Sequence, residues 1–268
     1  ALSLATERAQ AIQSNMERAF SAAYAIGALV RQGQGEVPEF TDIATQMLPF
    51  YPGVGSIQMA KDGVVSHIVP LAGNEKAIGH QLLVDPQRTK EAFLARDTGV
   101  LTLAGPFKLV QGGVGIVGRL PVFLPAKVDG KPEFWGFAIT MLGFAGDRTQ
   151  FWGFAVVLLK FPQALEPAQL PLLAERGYNY ELWRIHPDTQ ARQVIDANTD
   201  QPPLSPVTRD LAVPNATWHL SISPTQGWND TPTMLVNVSL GLVFSLLLAG
   251  LTKLLADARN QERLLESR

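Results

Sequence analysis

The 268-residue chain has no cysteine, which excludes disulfides, thiolate catalysis and cysteine-ligated metal together. Its four histidines, His67, His80, His186 and His219, show no metal-ligand spacing and read as surface or internally satisfied polar residues. There is no excess of either charge: 22 basic against 24 acidic residues leave a net −2, so no basic field awaits nucleic acid. An initiator methionine is also missing, and the first residues are amphipathic rather than an apolar secretory run. We therefore expect the chain to begin partway into a larger protein. What is present is ample apolar material: 46% hydrophobic and 8% aromatic residues exclude a disordered chain. The length suffices for one large or two small domains.

The chain is organised around residues 96–124. Apolar runs at 100–109 and 114–124 flank Gln111-Gly112-Gly113, where glycine supplies the positive φ of a tight hairpin. The second run is apolar on both alternating sets, as in a strand covered on both sides. Val114, Ile116, Leu120, Val122 and Leu124 share one face, and Val117 and Phe123 the other. Arg119 lies on the Val117/Phe123 face as one cation in the middle of a buried strand.

Before this hairpin, Ala5, Ala9, Ile12, Met16, Ala19, Ala23, Ile26 and Val30 alternate spacings of four and three, the seam of a long helix. Such a seam suits an amphipathic helix on a core or a close-packed dimer stalk. Residues 40–50 read as a short helix stopped by Pro49 and Pro52. Runs 53–59 and 64–69 form a first hairpin around Asp62-Gly63, a two-residue turn signal. Residues 74–83 and 86–96 are helix-compatible. After the hairpin, Phe134-Trp135-Gly136-Phe137-Ala138 recurs as Phe151-Trp152-Gly153-Phe154-Ala155, two strand-like copies too few for a solenoid. Residues 162–176 read as a helix, and 178–185, 192–195, 211–213 and 216–223 as short strands separated by turn chemistry.

Residues 231–252 carry no charge and are mostly apolar, enough at about 1.5 Å per residue to cross the hydrocarbon core. Trp228 marks the outer interface, and Lys253, Arg259 and Arg263 follow the span, placing the C-terminus inside. Leu251, Leu254, Ala258, Gln261 and Leu265 keep a heptad beyond it.

Catalytic patterns are weak. Gly113-Val-Gly115-Ile-Val-Gly118 matches GxGxxG, but Arg119-Leu120-Pro121 continues a strand where that motif requires a helix. Ser56 lacks a nucleophile elbow, and Glu75, Asp85, Glu91 and Asp97 form no acid/base pair. A buried arginine either pairs with an acid, for which Asp97 is the candidate, or reads a planar acceptor bidentately.

The succession Asp85-Pro86-Gln87-Arg88, Ala95-Arg96-Asp97-Thr98-Gly99, Gly105-Pro106-Phe107-Lys108-Leu109, Gly115-Ile116-Val117 and Leu120-Pro121-Val122-Phe123 resembles the CHASE domain. That domain is the extracytoplasmic sensor of membrane histidine kinases and cyclases, related to the plant cytokinin receptors. The matched core spans residues 48–124, and weaker similarity continues to Trp228. The resemblance implies an α+β fold: stalk helix (1–37), distal PAS-like (Cache-type) lobe (38–161), proximal PAS-like lobe (162–230), transmembrane helix (231–255) and the start of a cytoplasmic coiled coil (256–268). One copy of the 134–138/151–155 repeat is then an insertion or added hairpin.

The resemblance also implies a bacterial inner-membrane receptor with residues 1–230 outside, homodimeric through its stalk and transmembrane helices. No cofactor and no nucleic acid are expected. This stretch would be non-catalytic, feeding a histidine kinase or nucleotide cyclase. Its small-molecule site would involve Val69, Asn74, Glu75, Leu103, Val117, Arg119 and Phe123. In cytokinin-type members a threonine aligns with Arg119 and an aspartate holds the adenine. Here Leu71-Ala72-Gly73-Asn74-Glu75 offers no aspartate, so a different small planar or carboxylate-bearing ligand is expected. The alternative is a sensor gated by a protein partner or by membrane state.

Overall fold

The computed structural model describes residues 2–84, 89–109, 112–125, 149–228 and 231–266. The motif at 85–88, Gln111 of the central turn and the first copy of the repeat at 134–138 lie outside them. Residues 1–223 form one unit and 224–268 a second.

In the first unit the heptad seam forms α1 (Leu2–Gln32), and every seam residue is at most 5% exposed. These side chains join one apolar core with residues of both β-sheets. The seam therefore serves the chain's own sheets and is not available to a second stalk, which corrects the expectation that it joins two protomers. Its polar residues are used as fasteners. Arg8 Nη1 donates to Ala168 O (3.1 Å), and Asn15 Nδ2 to Ala164 O (3.0 Å).

α2 (Phe40–Met47) leads into β1 (Val54–Lys61) and β2 (Val64–Val69). The turn joining them has Asp62 and Gly63 at φ 52° and 79°, the two positive values a two-residue hairpin turn requires. The helix expected at 74–83 shrinks to a single 3₁₀ turn, Glu75–Ala77, because Gly73 and Gly79 on either side take positive φ (both 78°). α3 (Thr89–Thr98) precedes β3 (Thr102–Lys108) and β4 (Val114–Pro125), the central hairpin. β5 (Thr149–Phe161) carries the second repeat copy and enters between the two hairpins, giving the antiparallel order β2-β1-β5-β4-β3. Gly113–Gly118 therefore runs from turn into strand, with no helix after it.

The helix expected at 162–176 is broken. A 3₁₀ stretch, Gln163–Ala168, ends at Gln169 in the left-handed region (φ 49°), and α4 (Pro171–Glu175) restarts. Pro167 and Pro171 cannot donate to a continuous helical ladder. A second antiparallel sheet of β6 (Tyr178–Ile185), β7 (Arg192–Ala197), β8 (Val207–Val213) and β9 (Ala216–Pro224) has the order β7-β6-β9-β8.

The second unit contains α5 (Thr231–Glu266), whose segment Met234–Ala256 is long and apolar enough to cross a membrane.

Candidate functional site

The two faces of the five-stranded sheet bury different sets. Ile57, Met59, Ile116, Leu120, Val122, Ala155, Val157 and Leu159 join the core around α1. Ala60, Val117, Phe154, Val156 and Leu158 face the other way and pack with Ala92 and Ala95 of α3. Arg119 belongs to this second face and is wholly buried (0% exposed). It lines a cavity of about 40 Å³ with Gln58, His80, Phe107, Val117 and Leu158. An amide, an imidazole and a guanidinium thus meet on a wall that is otherwise apolar. That composition, mostly apolar with few polar groups, is what small-molecule sites share. Gln58 is oriented from below: its Nε2 donates to Ser56 Oγ at 2.9 Å, and Ser56 is itself fully buried.

Of the residues expected at the site, the fold gathers only part. Val117 and Arg119 line the cavity, and Phe123, half-buried, extends the same face against the ring of Phe151 (centroids 5.7 Å). Leu103 does not. It is paired with Gly118 and sits in the α1 core, while its neighbour Thr102 stands opposite Arg119. Val69 also faces the α1 side, paired with Ile57, and borders a separate depression of about 470 Å³ with Leu48, His67 and Ile78.

Two β-bulges cause these displacements. A bulge between Met59 and Ala60 puts Val65 on the cavity face but turns Val69 away. Another between Ala104 and Phe107 leaves Leu103 on the helix side and delivers Phe107 to the cavity. Asn74 is buried but donates to Pro70 O (2.9 Å), holding its own loop. Glu75 is exposed. Its carboxylate accepts from Gly73 N (3.1 Å), and backbone N–H groups, its own and that of Gly73, hold its pKa below the ordinary value.

Gln58, His80 and Phe107 were missed. Gln58 had a legible signal, a polar residue inside an apolar strand run; His80 had none, because it lies in a loop whose path the sequence does not reveal. Asp97, the candidate partner for Arg119, is held at the surface by Arg96 (Nη2 to Oδ1, 2.8 Å). Among the described residues no three His, Asp or Glu side chains could hold a metal ion.

The second sheet has a polar cluster of its own. The Arg192 guanidinium lies over Trp183 (3.9 Å) and pairs with Glu181 (2.7 Å), and Trp183 stacks on His219, which meets Asp210 (2.7 Å). Arg184 beside it is driven below its ordinary pKa chiefly by burial.

The family model of the CHASE domain matches residues 7–195. Among solved structures the chain is similar to an extracellular ligand binding receptor from Desulfohalobium retbaense, at 12% identity and a TM-score of 0.58 over 82% of this chain. It spans 39% of that receptor's length. It is also similar to the ligand binding domain of the Pseudomonas aeruginosa PAO1 amino acid chemoreceptor PctC in complex with GABA, at 16% identity and a TM-score of 0.50. That match covers 82% of this chain and 96% of that domain. At these identities the likeness is one of fold. No curated relative matches the chain.

Proposed function

The chain belongs to the CHASE domain family, an extracellular sensor family, and from that premise we propose that it binds a small molecule at Arg119 and signals across a membrane. The observation that carries this reading is the cavity on the five-stranded sheet. A wholly buried guanidinium, with Gln58 and His80 nearby and apolar walls around it, suits a small planar or carboxylate-bearing ligand, which an arginine fork holds bidentately. At about 40 Å³ the cavity is far below the roughly 300–1,000 Å³ that small-molecule sites occupy. Binding therefore opens it. The wall that yields is the loop carrying Ala77, His80 and Leu82, which has a single 3₁₀ turn of its own and is fastened to the β1–β2 hairpin by backbone hydrogen bonds at Gly79, His80 and Leu82. The strands are cross-linked and stay.

In this reading the five-stranded sheet is the distal lobe (38–161) and the four-stranded sheet the proximal one (162–230), both PAS-like. α5 crosses the inner membrane, pairs with a second copy and drives a histidine kinase or diguanylate cyclase type of output. Ligand binding would bias the packing of those paired helices. The second reading, gating by a protein partner, is favoured by a different observation: Leu71 and Ile78 stand 53% and 43% exposed beside the 470 Å³ depression.

Native mass spectrometry of the full chain taken gently from membranes tests the proposal, comparing wild type with Arg119→Lys and Arg119→Ala. We expect a small molecule retained by wild type and lost from both variants, because lysine lacks the planar fork. A folded wild type that carries nothing, and that gains no thermal stability from a library of small acids, overturns it in favour of the partner-gated reading. Orientation is read separately. A cysteine replacing Ser267 should resist an impermeant thiol reagent in intact cells, and one replacing Gln34 should label.

A further inference from the structure

We propose that the cleft between α1, the segment entering β3 and the β8–β9 turn is a second small-molecule site, one that takes an organic cation with an apolar or aromatic body. The proposal does not rest on the Arg119 cavity. The cleft encloses about 400 Å³, within the range small-molecule sites occupy, against about 40 Å³ beside Arg119. Its floor is apolar: Met16, Phe20, Leu101 and Val213 are 2%, 3%, 4% and 9% exposed. At its rim Tyr24 and Val100 remain 53% and 59% exposed, an aromatic and a branched surface open to a ligand's body.

The sign of the charge follows from the rest of the lining. Glu17 is the one side chain charged at neutral pH among the described residues that line the cleft. Gln13 is locked between two partners, its carbonyl accepting from Ala212 N (3.3 Å) and its amide donating to Glu17 Oε1 (2.9 Å). That bond uses one of the roughly four acceptor positions a carboxylate offers, so an ammonium can take another. The Tyr24 ring adds the electron-rich face that cations prefer. A carboxylate ligand would meet Glu17 with no lining cation to offset it. The preference is therefore opposite in sign to that of the Arg119 cavity.

The cleft is also placed where occupancy matters. Asn215 on its rim makes two hydrogen bonds to the Leu103 backbone, accepting from Leu103 N (2.6 Å) and donating to Leu103 O (3.2 Å). That pair ties β3 of one sheet to the β8–β9 turn of the other. Phe20 on the floor lies against Gly118, next in sequence to Arg119: a Cβ built on Gly118 would come within 2.5 Å of the ring. An occupant thus touches Asn215, which makes the tie between the sheets, and Phe20, which packs on the strand under the Arg119 cavity.

The test is isothermal titration of the full chain in lipid nanodiscs, with empty nanodiscs as reference, using phenethylamine and 3-phenylpropionate. These probes share an apolar body and carry opposite charges. The amine should bind at least tenfold tighter than the acid. Glu17→Gln should weaken the amine about tenfold and erase the preference, and Tyr24→Ala should weaken it further. Glu17 and Tyr24 are exposed, so their variants keep the fold. Equal binding of the two probes, no binding of the amine, or a preference that survives Glu17→Gln overturns the proposal. So does a dimer that excludes both probes and is dissolved by Tyr24→Glu, since the cleft is then a protein interface.

Discussion

Along β4, Ile116, Leu120 and Val122 turn to α1, while Val117 and Arg119 turn the other way. β5 repeats the division with Ala155, Val157 and Leu159 on the helix side and Phe154, Val156 and Leu158 opposite. The helix side is closed by 31 residues of α1; the strand residues named there are all apolar, and the buried polar Arg8 and Asn15 come from the helix itself. The other side admits Gln58, Ser56 and Arg119, all at most 5% exposed, and is covered by the ten-residue α3 and a loop. The comparison separates two jobs carried by one set of strands. Stability is concentrated where the cover is long and regular. Polar groups are tolerated where the cover is short and can yield, as binding sites require.

The largest effect should come from breaking the helix side. Ile12→Glu places a charge at a fully buried position with no partner designed for it, and should cost more than the about 2–5 kcal/mol of a cavity-making substitution there. Circular dichroism should show loss of the cooperative transition. A dimer that merely dissociates while the sheets stay folded would return the seam to a stalk role.

Gly118 joins the two sides, and Gly118→Ala drives a methyl into the Phe20 ring. Overpacking of this kind costs about 1–3 kcal/mol. The cost should shrink in a Phe20→Leu background, a coupling that a double-mutant cycle reads directly. Equal costs in both backgrounds would mean that the ring is not the obstacle.

A smaller loss, about 1–2 kcal/mol for two hydrogen bonds, is expected of Asn215→Gly. Glycine keeps the left-handed φ of 52° and removes only the amide tie to Leu103. Hydrogen exchange should quicken in β3 and leave β4 and β5 protected. Uniform change across the sheet would show that the tie is not local.

The smallest effect concerns the cover of the polar side. Lys90 of α3 pairs with Asp188 of the β6–β7 turn at 2.5 Å, and the hydrogen bond from Lys90 lowers the Asp188 pKa. A lowered acid contributes stability above its unfolded value, about pH 3.9, and loses it as pH falls through the folded one. Both groups are exposed, so Asp188→Asn should barely move the melting temperature at pH 7. The small difference from wild type should vanish on acidification below pH 4.

Much of this architecture was legible. The alternation along 114–124 located Arg119 on a buried strand, and Asp62-Gly63 announced its hairpin. What period-two reading could not deliver was how the faces of different strands combine. That depends on register, and each bulge inverts parity downstream of itself. The resemblance places Val69 and Leu103 with Arg119, and the bulges at Met59/Ala60 and Ala104/Phe107 that turn them away leave no compositional trace. The α1 seam was ambiguous for a related reason, since a heptad pattern is satisfied equally by a second helix and by a sheet. His80 reached the cavity through a loop whose path no local pattern encodes.

α1 also shapes the order in which the molecule can assemble. Thr6 accepts a hydrogen bond from Arg209, and Gln13 one from Ala212, across 203 and 199 residues of chain. Made first, the helix keeps part of its apolar seam without a permanent partner until nearly the whole unit has been synthesised. Contacts of such sequence separation slow folding because loop closure must precede their reward. The exposed stripe meanwhile is a surface on which nascent chains associate wrongly. The same long helix that gives both sheets a common wall thus leaves the growing chain with an apolar stripe only partly covered up to the completion of β8.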